Sequence, residues 1–231
     1  MNGTTASLRR KGAMPHRTKQ KFVCDTLRGA IMRCELRPGQ RLVIDELARQ
    51  LEVSAIPVRE ALQVLASEGL VSNVPHVGAT VTPISIESID EVFALMECLE
   101  VVATRQAAQR MTDADAADLE AITAAMDAAL RDGRNEDWAD LNSRFHLAIS
   151  QLSAMPLLHE MTARVLARWD RVRRYYFSGV LAHRIVQAQE EHRDLVRRMK
   201  AGDVVGLEDA VRQHNQGARL AYAEYLRTNS A

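Results

Sequence analysis

No apolar run in this chain approaches the ~20 consecutive residues that a membrane-spanning helix needs, so no membrane partner is expected. Aromatic residues are scarce, at 4%. With 6 prolines and 11 glycines in 231 residues, there is little of the punctuation that a many-stranded fold requires. These shortages favour helices. Cys24, Cys34 and Cys98 are odd in number and form no CxxC pair. They fit reduced thiols in a cytoplasmic protein, each a small buried hydrophobe within a helical pattern. The first 21 residues, MNGTTASLRRKGAMPHRTKQK, are basic and polar and lack the apolar core of a secretory signal.

Net charge is also missing, because 30 Lys and Arg balance 30 Asp and Glu. The balance is not local. Residues 1–83 carry 12 basic and 7 acidic side chains, whereas 84–231 carry 18 and 23. A basic first third beside an acidic remainder points to a polyanion-binding module joined to a module with another task. A hydrophobic fraction of 47% is enough for packed cores, and the length suits one or two domains.

The stretch Val53–Gly69, VSAIPVREALQVLASEG, reads as a turn followed by an amphipathic helix. Ser54 stands where it can accept a backbone N–H at the helix start. Pro57 falls in the first turn, where its missing N–H is tolerated. Val58, Ala61, Leu62 and Leu65 form one buried stripe, Arg59 and Gln63 share the opposite face, and Gly69 ends the helix. Such a helix fits a DNA reader and fits an ordinary surface helix equally well.

Its neighbours favour the first. Thr18–Cys34 reads as a helix, Arg37-Pro38-Gly39-Gln40 as a turn, and Asp45–Leu51 as a second helix. Glu52-Val53-Ser54 is then the tight turn of a helix-turn-helix. Leu70–Val74 and Ala79–Thr82 flank the turn Pro75-His76-Val77-Gly78, which is a hairpin signal and would form a wing. Residues 1–17 are expected to be a flexible basic tail, 18–83 a winged helix-turn-helix, and 84–87 a linker.

The ordered run PGQRL, ELARQLEVS, PVREAL, EGLV over residues 18–83 resembles the GntR family of DNA-binding regulators. The resemblance implies that Arg59 contacts DNA, that Ser54 and the tip residues Ala55 and Ile56 reach phosphate or bases, and that Gly78 lets the wing approach the minor groove. Arg41 and Gln63 complete the candidate DNA-binding set. Many members carry Arg and Thr where this chain has Ala55 and Ile56, so base preference is expected to differ there. The two methyl-bearing side chains can instead touch a thymine methyl.

From Ser88 to Arg227 the pattern is helical nearly throughout, and residues 88–228 are expected to form an antiparallel all-helical bundle of six to seven helices. A first helix carries Ile89, Val92, Phe93, Met96, Leu99 and Glu100. The second starts at Thr112-Asp113-Ala114-Asp115 and stops near Asp132-Gly133. The third spans Glu136–Leu152. The fourth opens at Pro156 and ends near Ser178-Gly179, the fifth spans Leu181–Ala201, and the sixth Asp203–Arg227.

Asn142 and His146 stand i, i+4 on one helix face, while His192 and His214 lie on later helices. Spacing by itself leaves each as an ordinary surface or hydrogen-bonded residue. The set Asn142-Ser143-Arg144-Phe145-His146, Glu191-His192-Arg193 and His214 resembles the FCD domain of the FadR subgroup. That resemblance implies a divalent metal, zinc or nickel, held by Asn142, His146, His192 and His214 at the floor of an effector pocket. Two departures stand out. Many members have Asp at the position of Asn142, and an amide lacks the negative charge. Members that bind organic acids often place Arg where this chain has Met96, four residues before Glu100. Met96, Arg171 and Arg174 are the candidate effector-pocket residues, with Arg173 and Arg184 as further cations that can substitute.

The expected function is a homodimeric regulator that binds double-stranded operator DNA and answers to a small metabolite, a carboxylate, at a metal-containing pocket. A second reading makes the metal itself the effector. A metal-dependent hydrolase is a distant third, since no HExxH or other assigned general base accompanies the histidines. The chain is therefore not expected to be an enzyme.

Overall fold

The computed structural model describes residues 19–75 and 77–229, with only the backbone described over 177–183 and at 229. The expected basic tail and the wing-tip residue His76 lie outside the described residues. The rest falls into two compact units that divide between Ile84 and Ser85.

In the first unit, α1 (Lys19–Met32) turns Val23, Leu27, Ala30 and Ile31 inward, where they are fully buried. Helix α2 (Ile44–Gln50) is followed by α3 (Ala55–Ser67). The turn between them is closed by Val53 N donating to Ala48 O at 3.0 Å, with Glu52 at a φ of 54°. The α3 stripe of Val58, Ala61, Leu62 and Leu65 packs into the same core. Arg28 on α1 grips Glu68 just past α3 with two bonds, Nε to Oε2 at 2.9 Å and Nη2 to Oε1 at 2.6 Å.

Strands β1 (Val71–Val74) and β2 (Gly78–Val81) form an antiparallel hairpin, with Val71 opposite Val81 and Val74 opposite Gly78. A third segment lies along β2. Gly39 N donates to Val81 O at 2.9 Å, Leu42 N to Ala79 O at 2.8 Å, and Arg41 bridges to Thr80. The turn and the apolar anchor Leu42 thus tie the wing to the helices.

The second unit is a bundle of five helices, α4 (Ile86–Ala108), α5 (Asp113–Arg131), α6 (Asn135–Leu152), α7 (Pro156–Ala201) and α8 (Val204–Asn229). Helix α7 packs against each of the other four. The core is built on Leu119, Met126, Trp138, Phe145, Leu195 and Met199. Helix α5 starts as expected, on a reciprocal box in which Thr112 N donates to Asp115 Oδ2 and Asp115 N to Thr112 Oγ1.

Three expectations need correction. The break at Ser178-Gly179 is absent, and the fourth and fifth expected helices are one 46-residue helix, α7. One interior glycine costs a helix only about 1 kcal/mol relative to alanine, too little to end it by itself. The linker over 84–87 is shorter than expected, because Ser85 and Ser88 form a capping box that starts α4 at Ile86. Of the cysteines only Cys24 is buried. Cys34 lies beyond α1 at a φ of 57°, and Cys98 is exposed on α4.

Candidate DNA interface and metal centre

The outer face of α3 presents Ile56, Arg59 and Gln63 to solvent, with Ile56 67% exposed and Ala55 half-buried beside it. Ser54 occupies the N-cap position in extended backbone, yet its side chain makes no capping bond. An N-cap side chain accepts from the second or third helical N–H; Pro57 at the third position has none, which leaves Ile56 N–H as the one available donor. Arg41 is exposed and fixed by its bridge to Thr80. Gly78 opens β2 at a φ of 95°, a conformation that side-chain-bearing residues avoid. Arg59, Gln63 and Ser54 thus lie on one helix face and its entry, and Arg41 and Gly78 on the hairpin layer, whose β1 packs against α3.

The bundle brings together residues far apart in sequence. His146 comes from α6, His192 from α7 and His214 from α8. One ring nitrogen from each lies within 4.8 Å of the others, and all three rings are buried. One ion could collect them after small ring rotations. Asn142 is buried one turn before His146 on the same face of α6.

Two of the rings lie against carboxylates. His146 Nδ1 lies 2.8 Å from Glu100 Oε1, a close pair outside hydrogen-bond geometry that leaves Oε1 without a hydrogen-bond partner among the described residues. His214 Nδ1 lies 2.7 Å from Glu191 Oε2. Each carboxylate is held in turn. Asn215 Nδ2 donates to Glu100 Oε2 at 2.7 Å, and Arg184 Nη2 to Glu191 Oε2 at 2.5 Å. Burial pushes the Glu100 carboxyl up, but His146, His214 and the Asn215 amide outweigh it and hold the group below its ordinary range. Glu191 behaves alike: burial opposes ionisation, and bonds from His214 and Arg184 win.

His192 differs. It is completely buried against Trp138 and Phe145, and among the described residues neither ring nitrogen has a hydrogen-bond partner. Burial, followed by the charges of His214, His146 and Arg184, lowers its pKa well below that of a free imidazole. A neutral imidazole with two orphaned nitrogens is costly unless something takes its lone pair. Three imidazoles, one with Nδ1 bonded to a carboxylate and one with Nδ1 beside another, are the donor set of a borderline-soft divalent ion.

Of the expected effector residues, Met96 is buried one turn before Glu100 on α4, and Arg171 is buried on α7. Arg174 pairs with Asp140 at 3.4 Å, and the fully buried Arg173 pairs with Asp140 at 2.8 Å and Asp170 at 3.1 Å. Glu100, Glu191, Arg184 and Asn215 were absent from the expected metal set. Glu100 carried a readable signal, an acid set in the apolar stripe of α4.

Comparison with known proteins agrees with both halves. Residues 19–81 match the bacterial regulatory proteins of the gntR family, and residues 91–217 match the FCD domain. This chain belongs to the GntR family and carries an FCD domain. The HTH-type transcriptional regulator McbR of Escherichia coli K12 is 29% identical over 217 residues, spanning 94% of this chain and 98% of that one. The HTH-type transcriptional repressor RspR of the same strain is 28% identical over 204 residues, spanning 88% and 89%. The solved structure of E. coli McbR/YncC superposes with a TM-score of 0.70 at 28% identity, covering 91% of this chain and all of that one. Like these GntR-family relatives the protein is a transcriptional regulator, and among its described residues no helix is long and apolar enough to cross a membrane.

Proposed function

We propose that this protein is a cytoplasmic homodimeric repressor whose hold on operator DNA is set by a small carboxylate bound at a divalent metal in its helical unit. Residues 19–83 are the DNA-binding part and residues 86–228 the effector-binding and dimerising part. Arg59 and Gln63 read base edges in the major groove, Ser54 and Arg41 meet phosphates, and Gly78 lets the wing come close to the backbone. Basic side chains of the first unit add a salt-dependent phosphate term.

Asn142, His146, His192 and His214 would hold zinc or nickel. Such an ion supplies a Lewis-acidic position for a carboxylate oxygen. Glu100 and Glu191 orient His146 and His214 and keep their Nε2 atoms available as donors. The observation that carries this reading is His192, whose two buried nitrogens are orphaned between the other rings. The effector controls transcription only if it binds the DNA-bound and released arrangements with different affinity.

Metal content of the purified full chain tests the centre. Titrating a selected operator duplex with zinc, with and without malonate or citrate, tests the effector. Release that needs both zinc and acid supports the proposal. Release that tracks free zinc alone makes the metal the effector.

A further inference from the structure

Helix α4 turns Ile89, Phe93, Met96, Glu100 and Ala107 into the bundle. The opposite face of such a helix is ordinarily charged. Its middle is not. Glu91, Leu95, Cys98, Val102 and Arg105 follow one another at alternating steps of four and three residues, which sets them in one seam along the outside of α4. Leu95 is 46% exposed, Cys98 and its neighbour Ala94 are exposed, and Val102 is half-buried. Between Glu91 and Arg105 the seam carries no charge. Glu97 lies to one side of it, where Arg212 Nη1 donates to its Oε1 at 2.8 Å.

The seam is self-complementary. An interface about a two-fold axis uses the same patch on both subunits, so that residue i meets j and j meets i. Cys98 stands at the middle, seven residues from Glu91 and seven from Arg105. A second α4 laid antiparallel sets Glu91 opposite Arg105 at both ends, Leu95 opposite Val102 twice, and Cys98 opposite itself. A parallel copy would stack Glu91 on Glu91 and Arg105 on Arg105. The spacing is that of a coiled-coil seam, and the small Ala94 and Cys98 let two helices approach closely. Arg105 is lightly engaged in its own chain, with Nη1 3.4 Å from Glu208 Oε1 and its side chain 42% exposed. An ion pair so exposed contributes little, which leaves the guanidinium available to Glu91 of a second copy.

We infer that the outer face of α4 is where two copies of this chain meet, with Cys98 on the two-fold axis. The inference rests on the homodimer proposed above and adds its surface. Leu95 and Val102 form the apolar middle, and Glu91 and Arg105 fix the antiparallel direction by penalising the other. A different protein would have to supply the reversed pattern of charge, which a second copy already carries. The inner face of the same helix holds Glu100 against His146, so the interface and the histidine centre share one element.

The test uses the full chain. Sedimentation gives the dimer dissociation constant, and a short bismaleimide reports whether two Cys98 thiols lie together. Wild type should link into a covalent dimer and Cys98→Ser should not, although Cys34 is still present. Leu95→Asp should keep its helical content, because the side chain is exposed, and raise the dissociation constant about tenfold or more. Glu91→Lys and Arg105→Glu should each weaken the dimer, yet an equimolar mixture of the two should pair as a heterodimer, since opposite charges then meet at both ends. An unchanged dissociation constant in Leu95→Asp, or no gain on mixing the charge variants, overturns the inference and leaves the homodimer standing on another surface. So does a dimer whose Cys98 stays open to a monofunctional maleimide at every concentration, which leaves α4 to a different partner. A wild type that is monomeric throughout overturns the surface and the homodimer together.

Discussion

His146 Nδ1 and Glu100 Oε1 meet at 2.8 Å, with both side chains buried on neighbouring helices. A carboxylate behind a ligating imidazole fixes the ring and raises its basicity, and loss of such a partner typically weakens metal binding by about 10- to 100-fold. Glu100→Gln keeps the shape and the acceptor but removes the charge. Competition against a chromophoric chelator should show zinc affinity falling within that range while the helical content is retained. Unchanged affinity would mean that the contact serves packing alone.

His192 gives a prediction with opposite signs in two states. Its ring packs on Trp138 and Phe145, and its nitrogens have no partner among the described residues. Buried polar groups left unmet cost about 1–3 kcal/mol. His192→Leu should therefore make the metal-stripped protein as stable as the stripped wild type or more so. It should also abolish the rise in unfolding midpoint that zinc gives the wild type. A stripped variant that unfolds well below stripped wild type would show that His192 makes a structural bond instead.

Arg59 is exposed on α3 and shares its outer face with Gln63. Arg59→Ala should leave thermal stability unchanged and cost roughly 1–3 kcal/mol of affinity for an operator duplex selected from a random pool, if the side chain reads a base. The loss should be larger for the selected duplex than for unrelated DNA. Equal losses on both would assign Arg59 to phosphate contact.

Local chemistry is what the sequence made legible. The α3 stripe, the hairpin strands, the Thr112 start and the closing glycines each depend on residues within one or two turns, and each lies within a residue of where the pattern puts it. Gly179 is no break, since glycine weakens a helix without ending it unless the next turn also lacks support. Ser54 shows the converse: the N-cap position is legible, but its side chain makes no capping bond. Spacing cannot show the convergence of α6, α7 and α8 on three histidines, nor their carboxylate partners. Glu100 is held by Asn215 across 115 residues of chain, a relationship that no local pattern encodes.

Asn142 sets up the last test. It is buried one turn before His146, in an interior that already holds Glu100 and Glu191. Asn142→Asp adds a charge there. Without metal, an added buried carboxylate lacks a compensating cation and should destabilise the stripped protein by about 1–3 kcal/mol. With a divalent ion bound, the same charge becomes a ligand, and zinc affinity should rise on the order of tenfold, equivalent to about 1.4 kcal/mol. Denaturant unfolding with and without zinc separates the two effects, because the variant should fall below wild type when stripped and recover when loaded. If both forms lose stability alike, Asn142 does not face the ion, and the histidines alone make up the protein's share of the site.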